Sequence, residues 1–299
     1  MNLPLSKIGE FGLIWRIKKS ISTDASVVKG IGDDCAVIKF NSREYLLLTC
    51  DMLVEGVDFT SDEDPYLIGR KALGVSISDI ASCAGMPRYA LISLGLPKNK
   101  KSGFIDKLYK GIKDLAKVYS LNIVGGDISR SDKLVIDVSL VGIVEKKNLV
   151  LRSGAKLGDI IMVSGPLGGS IKGKHLRFTP RVKEARFLVN NFKLNSLIDI
   201  SDGLVQDLNH ILKESAKGAV IYQDLIPLSK DCIRLDDALN SGEDFELLFT
   251  LSIKEARKLL VLKDNFIPIG HIVEKDKGLV LIDKSGKPQR IKAKGFTHF

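Results

Sequence analysis

Seven aspartates fall where their side chains could act together. Asp33 and Asp34 stand side by side in GIGDDCAVIKF, at a glycine-rich turn before an apolar run. Asp51 leaves the run YLLLTC, Asp79 interrupts the small and apolar SISDIAS, and Asp127 follows the glycines of LNIVGGD. Asp199 and Asp202 bracket DISDG, where a strand pattern gives way to a helix pattern. Adjacent like charges repel, so a positive partner is expected beside Asp33 and Asp34. Carboxylates at element ends can converge on one point, and hard oxygen ligands of this kind suit Mg²⁺ or Ca²⁺; Mg²⁺ commonly shares its shell with substrate phosphates. Taken singly, Asp127 and Asp202 also serve as turn or cap residues, and Asp51 as a strand-end carboxylate. Asp79 is harder to explain that way. A carboxylate in a small, apolar helix segment is costly to bury without a cation or a hydrogen-bond network. No G-x-x-x-x-G-K-[ST] loop and no H-R-D with D-F-G pair is present, so phosphate handling here would run mainly through metal ions.

The elements that must carry these residues alternate between strand and helix patterns. AVIKF and YLLLTC read as buried strands. From Pro65 the apolar period lengthens, giving a helix that stops at AGMP. YALISLGLP is a strand, GFIDKLYKGIKDLAKVYS an amphipathic helix, LNIVGGD a strand ending in a glycine turn, and KLVIDVSLVGIVEK a long antiparallel strand. Beyond KKNLVLRSGAKLGD a second patterned half opens with strand IIMVSG. It continues through helix RVKEARFLVNN, the strand-to-helix segment LIDISDGLVQDLNHILKES, strand GAVIYQ, the segment GEDFELLFT, a helix from Lys254 and closing strands near FIPIGHIV and GLVLID. The expected architecture is α+β in two parts, residues 1–145 and 146–299.

Composition agrees with an ordinary soluble globular protein. The 299 residues are 44% hydrophobic and 27% charged, enough for a sizeable core. No apolar run is long enough to span a bilayer and no signal pattern follows Met1, so a cytoplasmic address and no membrane partner are expected. The formal charge of +9 comes from scattered lysines without interleaved aromatics, so no nucleic-acid partner is expected. Cys35, Cys50, Cys83 and Cys232 are far apart and read as buried free thiols. His175, His210, His271 and His298 form no recognisable acid–base constellation.

Nine blocks, in order, carry a family resemblance: GEFGLI, GIGDDCAVI, TCDMLVEGVDF, GRKALGVSISDIASCAGMPRYALISLGLP, VGGDISRS, RSGAKLGD, DISDGL, GEDFELLFT and GFTHF. Together they resemble the thiamine-monophosphate kinases, within the superfamily of aminoimidazole ribonucleotide synthetases, selenophosphate synthetases and hydrogenase maturation proteins. The resemblance implies an N-terminal α/β domain that completes a β-barrel with a second subunit, a C-terminal α+β domain, and ATP with several Mg²⁺ ions in the cleft between them. The implied reaction is ATP plus thiamine monophosphate giving ADP plus thiamine diphosphate, by direct transfer without a protein nucleophile.

Carried over by position, Asp34, Thr49, Cys50, Asp51, Asp79, Asp127, Asp199 and Asp202 fall on metal ligands. Tyr109, Gly126, Asp127, Arg152 and Ser201 fall on ATP contacts. Asp58, Glu243 and Phe296 fall on contacts to thiamine monophosphate, Asp58 standing where the family commonly has a histidine. The chain also departs from the family in a shortened segment between VSGPLGGS and KHLRFTPRV, and in FTP where RPTP is usual. Two other readings fit the same residues: an enzyme of the superfamily acting on a different phosphate or small acid, and a non-catalytic metal- or nucleotide-binding relative.

Overall fold

The computed structural model of the chain describes residues 4–262 and 265–296, so the last three residues of GFTHF lie outside the described part. Its first half runs α1 (Leu5–Ile8), α2 (Glu10–Ser20), β1 (Val27–Lys29), β2 (Ala36–Lys39), β3 (Glu44–Val54), α3 (Pro65–Ser82), β4 (Met86–Leu96), α4 (Ser102–Val118), β5 (Asn122–Arg130) and β6 (Val135–Glu145). The second runs β7 (Ile160–Val163), α5 (Lys174–Arg177), α6 (Val182–Asn191), β8 (Leu194–Asp199), α7 (Leu204–Ser215), β9 (Gly218–Tyr222), α8 (Leu235–Asn240), β10 (Leu247–Leu251), α9 (Ile253–Val261), β11 (Ile267–Val273), β12 (Leu279–Ile282) and β13 (Pro288–Arg290).

Two sheets result. The first has the order β1-β2-β3-β6-β4-β5 and is antiparallel apart from the β4–β5 pair; the second has the order β13-β12-β9-β11-β7-β10-β8, with β9–β12 its parallel pair. Among the described residues the first sheet is open, with β1 and β5 at its edges. Period-two alternation on β3 turns Leu47, Thr49, Asp51 and Leu53 to the inner face and Leu48, Cys50 and Met52 to the outer one. The same alternation buries Ile136, Val138, Leu140 and Val144 of β6.

Helix α3 lies on that inner face and also meets α5, α6 and β8, so one hydrophobic core is shared between the two halves. Its start and stop are encoded locally. Pro65 occupies the first turn, the Asp64 carboxylate accepts from Tyr66 N at 2.8 Å, and the helix ends where Ala84 takes a left-handed φ of +56°. Of the buried polar side chains on this helix, Lys71, Ser76 and Ser78 point at the residues discussed below.

Two local expectations need correction. LNIVGGD does not end in a turn; β5 runs on to Arg130 through both glycines. Gly126 passes so close to β4 that a Cβ there would lie 1.8 Å from the Ile92 carbonyl oxygen, so the glycine serves close strand approach rather than a turn. All four cysteines are free, but Cys35 and Cys83 alone are buried, because strand alternation puts Cys50 on the outer face and Cys232 sits in a half-exposed loop.

Candidate active site

Four elements deliver carboxylates to one place. Asp34 comes from the turn before β2, Asp51 from β3, Asp79 from α3 and Asp199 from the end of β8. Carboxylate oxygens of Asp34, Asp79 and Asp199 all lie within 4.8 Å of one another. Each of the inner-face acids is held by a hydroxyl: Thr49 donates to Asp79, Ser78 to Asp199, and Ser76 to Asp51 at 2.7 Å. The positive partner expected beside Asp33 and Asp34 is Arg152. Its Nε lies 3.0 Å from Asp34 Oδ1 and its Nη2 donates to the same oxygen, while its backbone N–H reaches both Asp33 oxygens at 3.3 Å. Lys29 adds a second charge 3.6 Å from Asp33.

These contacts leave the group under-compensated. Burial, with the neighbouring carboxylates, pushes Asp51 up to about 6 and Asp199 to about 7, and pushes Asp79 well above the carboxylate range. Asp33 rises to about 7, first through burial and then through the charge of Asp34. Asp34 Oδ2 is buried with no hydrogen-bond partner among the described residues. A hard dication fits this set: the donors are oxygens, their charges repel, and one buried lone-pair donor is unmatched.

Beside the acids opens a cavity of about 1110 Å³, walled by Phe11 and Trp15 of α2, Asp34, Arg152, Ser201 and His210. Thr49, Cys50 and Asp202 also reach it. Asp202 belongs to a second group, with Asp207 and His210 of α7, whose ligand atoms lie within 4.8 Å of one another. The buried Asp207 carboxylate accepts from Asp202 N and Gly203 N at 3.1 Å, which fixes the 201–203 loop. Burial, reinforced by Arg152, drops His210 to about 3 and keeps its ring neutral beside Phe11, 5.1 Å away between centroids.

Four residues assigned by position stand apart from the Asp34–Asp79–Asp199 group within one chain. The register row Met52–Asp137–Ser93–Asp127 puts Asp127 three strand spacings from β3, roughly 14 Å, on the face opposite Asp51. Gly126 is its neighbour on the same edge strand. Tyr109 packs on α4 against the edge of the first core and does not line the cavity. The side chain of Cys50 leaves β3 on the outer face, away from Asp79 and Asp199.

Glu243 and Phe296, two of the three positions assigned by resemblance to thiamine monophosphate contacts, border the 201–202 loop. Glu243 N donates to Ser201 O at 2.7 Å and Phe296 N to Asp202 O at 3.2 Å. The Glu243 carboxylate pairs with Lys71. Asp58 turns inward on its own turn, Oδ2 accepting from Val54 N at 2.8 Å. Arg181 is locked to Glu246 through Nε at 2.8 Å and Nη2 at 2.7 Å.

Sequence reasoning did not find Lys71, Ser76, Ser78, Asp207, His210 or Glu246. Only the Asp207–His210 pair carried a readable signal, an i, i+3 spacing that puts both on one helix face.

Comparison with known proteins shows the family. The model of AIR synthase related protein, N-terminal domain, matches residues 32–144. The thiamine-monophosphate kinase of Buchnera aphidicola subsp. Schizaphis graminum is 38% identical, with 97% of this chain and 98% of that protein covered. That of Aquifex aeolicus is 36% identical, with 99% of each covered. The chain belongs to the thiamine-monophosphate kinase family. As a member of that family it also superimposes on a solved structure described as AaThiL complexed with AMPPCP and TMP, at a TM-score of 0.89 and 34% identity, with both chains fully covered. More distant structures, including a hydrogenase maturation protein HypE in complex with ATP at 18% identity and a TM-score of 0.73, share the fold.

Proposed function

We propose that this thiamine-monophosphate kinase family member transfers the γ-phosphoryl group of ATP directly to the phosphate of thiamine monophosphate, giving ADP and thiamine diphosphate. The observation that carries the reading is the Asp34–Asp79–Asp199 group, with an unmatched buried oxygen on Asp34, beside a cavity that Asp34 and Arg152 line. Asp34, Asp79 and Asp199, with Asp51, Thr49 and, across the cavity, Asp202, would hold Mg²⁺. When bound, those ions supply the positive charge that lets two phosphate groups approach. Arg152 and Ser201 orient the polyphosphate chain, and the neutral His210 with Phe11 and Trp15 offers a flat apolar wall suited to a base. Glu243 and Phe296 engage the acceptor, with Asp58 bounding its side of the site. An assay with ATP, Mg²⁺ and thiamine monophosphate that reads thiamine diphosphate directly tests the whole reading. ADP release with another acceptor alone would move the chain to a different activity of the superfamily.

In this reading the transfer is direct, which the lack of a positioned nucleophile with its base among the described residues of the site supports. Incubation with γ-labelled ATP alone should therefore leave the denatured protein unlabelled, and stoichiometric covalent label would contradict this.

The working form in this reading is a cytoplasmic homodimer. The outer face of the first sheet exposes Leu48, Met52, Tyr89 and Leu91, with Met52 59% and Tyr89 50% exposed. A second copy laid on that face would cover it and close the open sheet into a shared barrel. Tyr109, Gly126, Asp127 and Cys50 then act from the sheet rim and outer face rather than alongside Asp79. The chain divides into residues 1–145, the N-terminal ATP- and metal-binding and dimerisation domain, and residues 146–299, the C-terminal α+β domain, which brings Arg152, Asp199, Ser201, Asp202 and Glu243 to the site. Light scattering should report about twice the 32.8 kDa chain mass; a monomer that turns over at micromolar concentration would exclude the dimer.

A further inference from the structure

Lys71 is among the largest side chains buried completely in the described residues, only 1% exposed, and the proposed phosphoryl transfer does not use it. A lysine in such a place is costly unless its charge is matched. Its Nζ donates to the Asp58 carbonyl oxygen at 2.6 Å and to Glu243 Oε1. Those partners lie 13 and 172 residues away in sequence, on opposite halves of the chain. One cation therefore ties the 54–59 turn to the 242–245 loop.

That loop needs tying. Gly242, Glu243 and Phe245 all take left-handed φ angles, +71°, +55° and +49°, which a non-glycine residue holds only where its surroundings over-determine it. The Glu243 side chain remains 29% exposed, so one oxygen is anchored by Lys71 while the carboxylate keeps an open edge. Pairing changes what that edge can do. A lone carboxylate attracts any cation, whereas one already matched by an ammonium is close to neutral at a distance and acts mainly as a fixed hydrogen-bond acceptor.

We infer that Lys71 is a positioning residue for the acceptor. It fixes Glu243 and balances its charge, so that Glu243 selects the exocyclic N–H of an aminopyrimidine rather than serving as a counter-ion to the thiazolium ring. This rests on the reading of Glu243 as an acceptor contact under the proposed function. Lys71→Met should raise the KM for thiamine monophosphate at least about tenfold, with kcat and the KM for ATP within about threefold; Lys71→Arg, which keeps the charge and the donors, should stay within about threefold throughout. In a Glu243→Gln background, Lys71→Met should add less than about threefold, because the pair acts as a unit. Wild-type enzyme should also discriminate against the 4-oxo analogue, oxythiamine monophosphate, by at least about tenfold in kcat/KM, and Lys71→Met should narrow that gap.

An unchanged KM for thiamine monophosphate in Lys71→Met, or equal effects of that change with and without Glu243, would overturn the inference and leave the proposed reaction standing. A wild type without turnover on thiamine monophosphate would remove both. Should Lys71→Met not fold, Lys71→Gln, which drops the charge but keeps a donor, takes its place in the same cycle; effects additive with Glu243→Gln would equally overturn it.

Discussion

Asp79→Asn is expected to lower turnover at least about a hundredfold, and Asp51→Asn to do the same. The amide matches the carboxylate in shape and still offers an oxygen to Thr49 or Ser76, so the local hydrogen bonds survive. What disappears is charge at a point where several phosphate charges must be neutralised together. A factor of a hundred is about 2.7 kcal/mol of transition-state stabilisation, a modest share of what a lost ligand to a catalytic cation removes. Stability should move the other way. Asp79 is pushed upward by burial and by Asp51, Asp199 and Asp34, so a neutral side chain relieves repulsion in the metal-free protein and the melting temperature should hold or rise. Steady-state rates and thermal melts of the same preparations separate the two effects. Near-normal rates in both variants would sink the metal-cluster reading, and unfolding in either would show that the carboxylates are structural.

The part of this site that was legible in the sequence is the part whose residue types carry their chemistry openly. Asp34, Asp79 and Asp199 stand out because a carboxylate at an element end or in a small-residue helix has few ordinary reasons to be there, and the structure brings those three together. Helix α3 was equally legible, since Pro65 and the AGMP stop are local signals. Lys71 was not. Its burial depends on Glu243, 172 residues away, and within a period-3.6 pattern a lysine reads as a solvated face. Ser76 and Ser78 hide for a related reason, because a helix that packs closely uses small residues anyway, and only the tertiary fold reveals that their hydroxyls hold Asp51 and Asp199. Asp127 shows the opposite case. The residue is visible in sequence, but its face and its distance from β3 follow from strand order β3-β6-β4-β5, which non-local pairing decides.

The second large effect expected is a pH-dependent stabilisation by Mg²⁺. In the metal-free protein, burial raises Asp51 from the ordinary carboxylate value to about 6 and Asp199 to about 7, and Asp79 rises with them. A carboxyl whose folded pKa lies above its unfolded value binds its proton more tightly in the folded state. Its contribution to stability is therefore complete below about pH 4 and is lost as pH climbs through the folded pKa, so these groups weaken the fold between about pH 4 and about pH 7. Each pKa unit is worth about 1.4 kcal/mol, and because the three acids share their titration the loss is about 2–4 kcal/mol rather than the sum of separate groups. A bound dication that replaces the missing positive charge restores that loss where the acids are ionised and has little to restore where they are protonated. With about 2–4 °C per kcal/mol for a chain of this size, millimolar Mg²⁺ should raise the melting temperature by at least about 5 °C near pH 8 and by less than about 2 °C near pH 5. Asp79→Asn should lose most of the pH 8 increment, since it removes one charge from the centre of the group. Equal increments at both pH values would mean that Mg²⁺ acts elsewhere on the surface; no increment at either would mean that the oxygens of Asp34, Asp79 and Asp199 do not hold the ion without nucleotide.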